Sequence, residues 1–212
     1  MNSKQSVSDN FDYISYTDQI LSNPTIKSKI ESYIDIIYNY NSKIKLVGNL
    51  NKTQIMDELI IPSIISELLL QKNDDINLID IGSGSGIVGI SIKFIRNNVQ
   101  LILCEKNSKK IAFLNEVLIK LNIKNVEIIH SSLENLQKNR LQHVDQLLIR
   151  GIKLVKILKT IQDKFPCGTS ILYFGSEKEI TIPEISEIAR LPMPGNDSRA
   201  APLHIFQLRL NH

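Results

Sequence analysis

The stretch Leu78 to Ile92, LIDIGSGSGIVGISI, constrains this chain more than any other. A short apolar run, Leu78-Ile79-Asp80-Ile81, breaks into Gly82-Ser83-Gly84-Ser85-Gly86 and resumes as an apolar-periodic segment from Ile87 to Phe94. That order reads as strand, tight turn, helix. Glycines let such a turn bend sharply and approach a ligand with no Cβ between. The helix that follows opens with N–H groups that have no intrahelical acceptor. In dinucleotide sites those donors meet a pyrophosphate, and the spacing is G-x-G-x-x-G. Here the spacing is G-x-G-x-G, position 87 is Ile, and Asp80 stands just before the loop. A carboxylate there would repel a pyrophosphate and better suits a ligand with an ammonium or sulfonium group.

A second acidic residue completes the unit. Gln100 to Cys104 reads as a buried strand, and Glu105 follows it, 19 positions beyond Gly86. A carboxylate at that place accepts ribose hydroxyls, in a nicotinamide or an adenosyl cofactor alike. The D-x-G-x-G-x-G pattern resembles motif I of the S-adenosylmethionine (SAM)-dependent, Rossmann-like methyltransferases. The resemblance implies SAM as the cofactor and the Gly loop against its methionine part. Asp80, Gly82, Ser83, Gly84, Gly86 and Glu105 would then be cofactor-binding residues, with Ser132, Leu133 and Glu134, after the third strand, at the adenine. A nicotinamide oxidoreductase is the competing reading; Ile87 and the lack of a Tyr-x-x-x-Lys pair weigh against it.

Length and composition set outer limits. The chain has 212 residues, 42% hydrophobic and 22% charged, with a net charge of +3, which fits one globular domain with a helical extension. We place the extension at 1–74 and the SAM-binding domain at 75–212. The mild basicity is compatible with a nucleic-acid partner without requiring one. Cys104 falls inside a strand and Cys167 is the only other cysteine, so a disulfide framework is not expected and a reducing compartment is. With no zinc-type spacing, no long apolar run and no signal-peptide core, we expect no metal, no membrane and a cytoplasmic location.

Met1 to Asn10 is polar and expected to be disordered. Ile26, Ile30, Tyr33, Ile34 and Ile37 keep a helical rhythm, giving a helix from Thr25 to about Tyr40 and a polar break from Asn39 to Lys45. A second helix runs from Lys52 to Gln71, kinked or split by Pro62, and Asp74-Asp75 turn into the first strand. Beyond Glu105, Ser108 is the expected N-cap of a helix to Leu121. Val126 to His130 is a third strand, Val144 to Ile149 a fourth and Ser170 to Phe174 a fifth, with a helix from Ile152 to Phe165 between the last two. Glu184 to Leu191 and Leu203 to Leu210 close the sheet, as an antiparallel pair at its edge. The fold class is α/β: a Rossmann-like, mostly parallel sheet with its last strand antiparallel, flanked by helices. Asp80, the Gly loop, Glu105, His130 to Glu134, Arg150 and Phe174-Gly175 fall on one rim, beyond the strand C-termini.

A narrower resemblance rests on several of these segments together. Asp80 to Gly86, followed by Val88-Gly89-Ile90, then Glu105 and Lys109-Lys110-Ile111-Ala112-Phe113-Leu114, resembles the glucose-inhibited division protein B family, the 16S ribosomal RNA 7-methylguanosine methyltransferases. Tyr40-Asn41-Ser42 and Lys45-Leu46-Val47 echo its W-N-K and N-L-T, Leu133-Glu134 its V/I-E, and Arg150 the arginine of its S-R-A. The resemblance implies methylation of guanine N7, with 16S rRNA or the small ribosomal subunit as partner and a monomeric protein. Arg150 becomes the candidate catalytic residue, also counted with the cofactor set, gripping a phosphate or the guanine O6 edge. Lys43, Lys45, Lys109 and Lys110 could meet RNA phosphates; Tyr40, Tyr173 and Phe174 could stack on a base. The chain departs from the family at Leu59-Ile60-Ile61-Pro62-Ser63 for H-I-L-D-S, at Ile149-Arg150-Gly151 for S-R-A, and at Tyr173-Phe174-Gly175 for L-K-G. Arg199 is a possible substitute for a basic residue near the family's last strand. These losses fall on the expected RNA side, and they keep two alternatives open: a small-molecule methyltransferase, and a non-catalytic member that binds SAM or RNA.

Overall fold

The computed structural model describes residues 12–72, 75–175, 185–192 and 204–210. Met1 to Asn10, Asp74, Glu184, Arg199 and Leu203, which carry expectations above, lie outside that set. The described strands are β1 (Asn77–Ile81), β2 (Gln100–Glu105), β3 (Val126–His130), β4 (Gln146–Arg150), β5 (Ser170–Gly175), β6 (Ile185–Pro192) and β7 (His204–Leu210). They form one sheet in the order β3-β2-β1-β4-β5-β7-β6. Pairing is parallel from β3 through β5, and β7 runs antiparallel to both β5 and β6. The antiparallel edge pair is therefore present, with β6 outermost.

The period-two alternation of each strand feeds two apolar layers. Leu78, Leu103, Leu148 and Leu172 face one, beneath α2 (Pro24–Ile44), α4 (Ile61–Ile65), α5 (Ile87–Ile95) and α6 (Ser108–Lys120). Ile79, Leu147, Ile149 and Ile171 face the other, beneath α7 (Leu154–Lys164). The same parity sends Asp80 and Arg150 to the first layer's side. Ile30, Tyr33, Ile34 and Ile37 of α2 are buried there, so the N-terminal helices share the core of the sheet.

Local chemistry explains several boundaries. Pro24 opens α2 behind Asn23, whose side chain accepts from the N–H groups of Thr25 and Ile26. The helix continues to Ile44, through the expected polar break, and stops where Lys45 turns left-handed at φ 42°. Polar residues there line a solvated face and do not interrupt the helix. α1 (Tyr13–Leu21), capped by Asp12, has no counterpart in the sequence expectations. The N-cap of α6 is Asn107, not Ser108: its Oδ1 accepts from the N–H groups of Lys109 and Lys110. β4 begins at Gln146, not Val144, and α7 at Leu154, not Ile152.

The expected second helix is one helical path of changing pitch. α3 (Lys52–Ile55) opens on a reciprocal Asn51–Gln54 cap. It widens to a π-helix over Met56–Ile60, returns to α4, and tightens to a 3₁₀ turn over Ser66–Leu69. Pro62 accounts for the disturbance. It carries no N–H, so the carbonyl four residues back, Glu58, receives no bond from position 62. The π-helix sits just before it.

Candidate functional site: a cavity at the switch point of the sheet

The strand order reverses beside β1, with β2 on one flank and β4 on the other. Ligands of open α/β sheets bind in the crevice beyond the strand C-termini at such a point. A cavity of about 310 Å³ lies there. Its floor is Asp80 and the Gly82 to Ser85 turn; Arg150, Gly151 and Ile152 form one side and Leu46, Val47, Gly48 and Leu59 another.

The turn is held from several directions. Gly82 and Ser83 donate their N–H groups to the Cys104 carbonyl at the end of β2. Gly84 N–H donates to Glu105 Oε2 at 2.9 Å. The Tyr33 hydroxyl, buried in α2, donates to the Ser85 carbonyl at 2.6 Å. Gly86 is the left-handed N-cap of α5 at φ 80°, and a Cβ there would lie 2.6 Å from Ile90 Cδ1. Gly84 differs: a Cβ would find only Gly82 O and Lys110 Nζ, both at 3.8 Å. Its bare side faces the cavity, the place where a ligand can approach the backbone closely.

Asp80 is 3% exposed, and its Oδ2 accepts from Gly89 N–H at 3.1 Å, in the first turn of α5. Burial pushes its carboxyl up to about 7, with Glu105 adding to the rise and the Gly89 bond and Arg150 opposing it. Such a carboxylate regains a strong preference for ionisation when a cation enters beside it. Glu105 is committed to the loop: beyond Gly84 it accepts from the N–H groups of Lys106 and Asn107 at 2.9 and 2.8 Å. A carboxylate offers about four lone-pair sites, so room for a ribose hydroxyl remains, but Glu105 first sets the shape of the turn.

Arg150 lines the cavity and does not reach freely into it. Its Nη1 donates to the Leu59 carbonyl at 3.1 Å and its Nη2 to the Glu58 carbonyl at 2.7 Å, and its guanidinium lies over the Phe174 ring at 5.4 Å. It therefore supplies a donor to the carbonyl four residues before Pro62, the one that position 62 cannot serve. Asn41 fixes the opposite lip: its Oδ1 accepts from Leu46 and Val47 N–H at 2.8 and 2.9 Å, and its Nδ2 donates to Gly48 O at 3.0 Å.

Asp80, Gly82, Ser83, Gly84 and Arg150 come together at the cavity, with Gly86 and Glu105 shaping the loop from behind. Ser132, Leu133 and Glu134 stand apart from it. Leu133 opens a 3₁₀ turn and is buried in the layer under α7. Its own backbone N–H and then the Ser132 side chain hold the Glu134 carboxyl below the usual range. His130 ends β3, its ring bonded to the Lys106 carbonyl. Tyr173 and Phe174 are 2% and 4% exposed, so base stacking on them is corrected to core packing: β5 is covered on both faces. Tyr40 packs edge-on against Phe113 and bonds Glu116. Leu46, Val47, Gly48, Leu59 and Ile152 went unseen as wall residues, since their apolar character reads the same as core. Gly89 was missed as a packing glycine: its Cβ would lie 3.0 Å from Leu101. Among the described residues no cluster of three or more His, Cys, Asp or Glu could hold a metal. No described helix is long and apolar enough to cross a membrane.

Residues 26–189 match the family described as rRNA small subunit methyltransferase G. Among curated relatives, the ribosomal RNA small subunit methyltransferase G of Malacoplasma penetrans is 33% identical over 141 residues, covering 64% of this chain and 60% of the relative. That of Desulforamulus reducens is 30% identical over 159 residues, covering 74% and 64%. The matches thus span less than two thirds of those relatives' length. Among solved structures, an O-methyltransferase from Bacillus cereus in complex with SAH superposes with a TM-score of 0.58 at 14% identity, covering 85% of this chain and 91% of that one. At that identity the likeness speaks to the fold, which is that of the Rossmann-like methyltransferases.

Proposed function

The chain belongs to the rRNA small subunit methyltransferase G family, and from that premise we propose that it transfers a methyl group from SAM to guanine N7 of 16S rRNA, working as a monomer in the cytoplasm. The observation that carries the reading is the cavity at the switch point, where a buried carboxylate, Asp80, sits beside the uncovered backbone of Gly84. Asp80 offers its charge to the ammonium of the methionine part, and the Gly84 side admits the chain of the cofactor. Glu105, while holding the turn, faces the ribose. SAM supplies an electrophilic methyl on a sulfonium.

Guanine N7 has a lone pair and no proton, so its attack on the methyl carbon needs no general base. The N7–C bond forms as the C–S bond breaks, and the thioether leaves with the electron pair. The protein's task is to hold the two reactants in line, which alone can supply several kcal/mol, about 7–11 in favourable cases. The Arg150 assignment carries forward in altered form: it acts through the Leu59 wall that it holds, and that wall sets where a base can lie. In this reading the exposed Lys43, Lys45 and Lys109 meet RNA phosphates. The apolar Leu59 at the cavity, in place of the family's His, favours one second reading, a member that binds SAM without methylating rRNA.

The test is methyl transfer from labelled SAM to small ribosomal subunits lacking the modification, with the labelled base mapped by cleavage at 7-methylguanosine. One labelled guanosine is expected. SAM binding with no transfer would select the second reading, and no SAM binding would overturn both.

A further inference from the structure

The cavity carries charges of both signs, and they differ in what they are already doing. Arg150 spends donors on the Glu58 and Leu59 carbonyls and stacks on Phe174. Lys110 lines the same cavity from α6. Its backbone N–H is taken by Asn107, but its ammonium makes no hydrogen bond or ion pair with any described residue. That ammonium lies 3.8 Å from where a Gly84 Cβ would be, against the bare side of the loop. Lys106 and Lys109 beside it are exposed, whereas Lys110 is half-buried. A cation in the first turn of a helix also opposes the helix dipole. The position thus costs the ligand-free protein something, and nothing within the described protein offsets it.

We propose that Lys110 receives the carboxylate of the cofactor's methionine part, so that the cavity is built for a zwitterion, with the ammonium at Asp80 and the carboxylate at Lys110. The inference rests on the SAM-binding reading above and adds a specificity determinant to it. Lys110 selects an intact amino-acid tail over adenosyl compounds that lack the carboxylate. It also moves Lys110 from the RNA-facing lysines to the cofactor side.

The experiment compares two ligands by calorimetry: S-adenosylhomocysteine (SAH) and its decarboxylated analogue, which keeps the amine and the adenosine. A charge-assisted hydrogen bond supports a preference of the unmodified protein for SAH of about tenfold or more. Lys110→Gln is expected to weaken SAH by about the same factor, leave the analogue unchanged and so erase the preference; Lys110→Arg restores most of it. Equal weakening of both ligands would overturn the proposal and place Lys110 on the adenosine or in the fold. Unchanged affinity for both would overturn it in favour of an RNA-facing lysine. If the unmodified protein binds no SAH, the cofactor reading itself fails, a result distinct from SAH binding that ignores Lys110→Gln.

Discussion

Arg150 and Pro62 form a pair whose coupling can be measured. Pro62 removes a donor from the helical path, and Arg150 delivers two hydrogen bonds to the Glu58 and Leu59 carbonyls. Hydrogen bonds involving a charged group are worth about 1.5–3 kcal/mol each, and half-burial of Arg150 puts these at the lower end. Arg150→Ala should therefore cost about 3 kcal/mol of stability, part of it from the lost stack on Phe174. Pro62→Ala returns an N–H to the position four residues after Glu58, and alone should change stability by less than about 1 kcal/mol. In that background Glu58 has a substitute donor, so Arg150→Ala should cost about 1–1.5 kcal/mol less than in the unmodified chain, one bond's worth. Urea unfolding of the four proteins reads the cycle directly, provided the slopes agree. Costs that add to within about 0.5 kcal/mol would show that Arg150 does not replace the bond Pro62 removes.

Two further outcomes concern the loop. Burial raises the Asp80 carboxyl to about 7, so without ligand its contribution to stability is present below about pH 4, its ordinary range, and is lost as the pH rises through about 7. A ligand ammonium beside Asp80 needs the ionised form and reverses that order: SAH affinity should rise about fivefold from pH 6 to 7, and Asp80→Asn should bind weakly with no such rise; a flat profile in the unmodified protein would refute the pairing. Gly86→Ala forces a side chain into left-handed backbone 2.6 Å from Ile90, and should cost about 2–4 kcal/mol in denaturant unfolding; a loss under about 0.5 kcal/mol would mean the turn yields easily.

The elements legible in the sequence were those whose signal is local. β1, the glycine turn and α5 follow from an apolar run, five turn residues and a resumed periodicity, and β3 from its apolar character alone. The candidate residues that met at the cavity, Asp80 with Gly82, Ser83, Gly84 and Arg150, share the property of lying within the last two positions of a strand or just past it. What stayed hidden depends on distance in the chain. Nothing about Val47 or Leu59 tells a wall residue from a core residue until the N-terminal helices are laid against β1 and β4. Arg150 looked available for RNA because its partners are backbone carbonyls about ninety positions away, and carbonyls leave no trace in a sequence. Tyr173 and Phe174 looked usable as stacking platforms because a strand's rim can be open; here β7 and the helical layer cover it.

The insertion of β7 between β5 and β6 has a consequence for biosynthesis. Among the described strands, β6 pairs only with β7, and β5 finds its outer neighbour only in β7. As the chain leaves the ribosome, β5, buried at every position once folded, waits with an open edge while β6 and the segment after it are made. An apolar strand with unpaired backbone is a template for wrong pairings. The nascent protein is thus most vulnerable to self-association over the time needed to translate residues 176–210, and the last described strand is what ends that window.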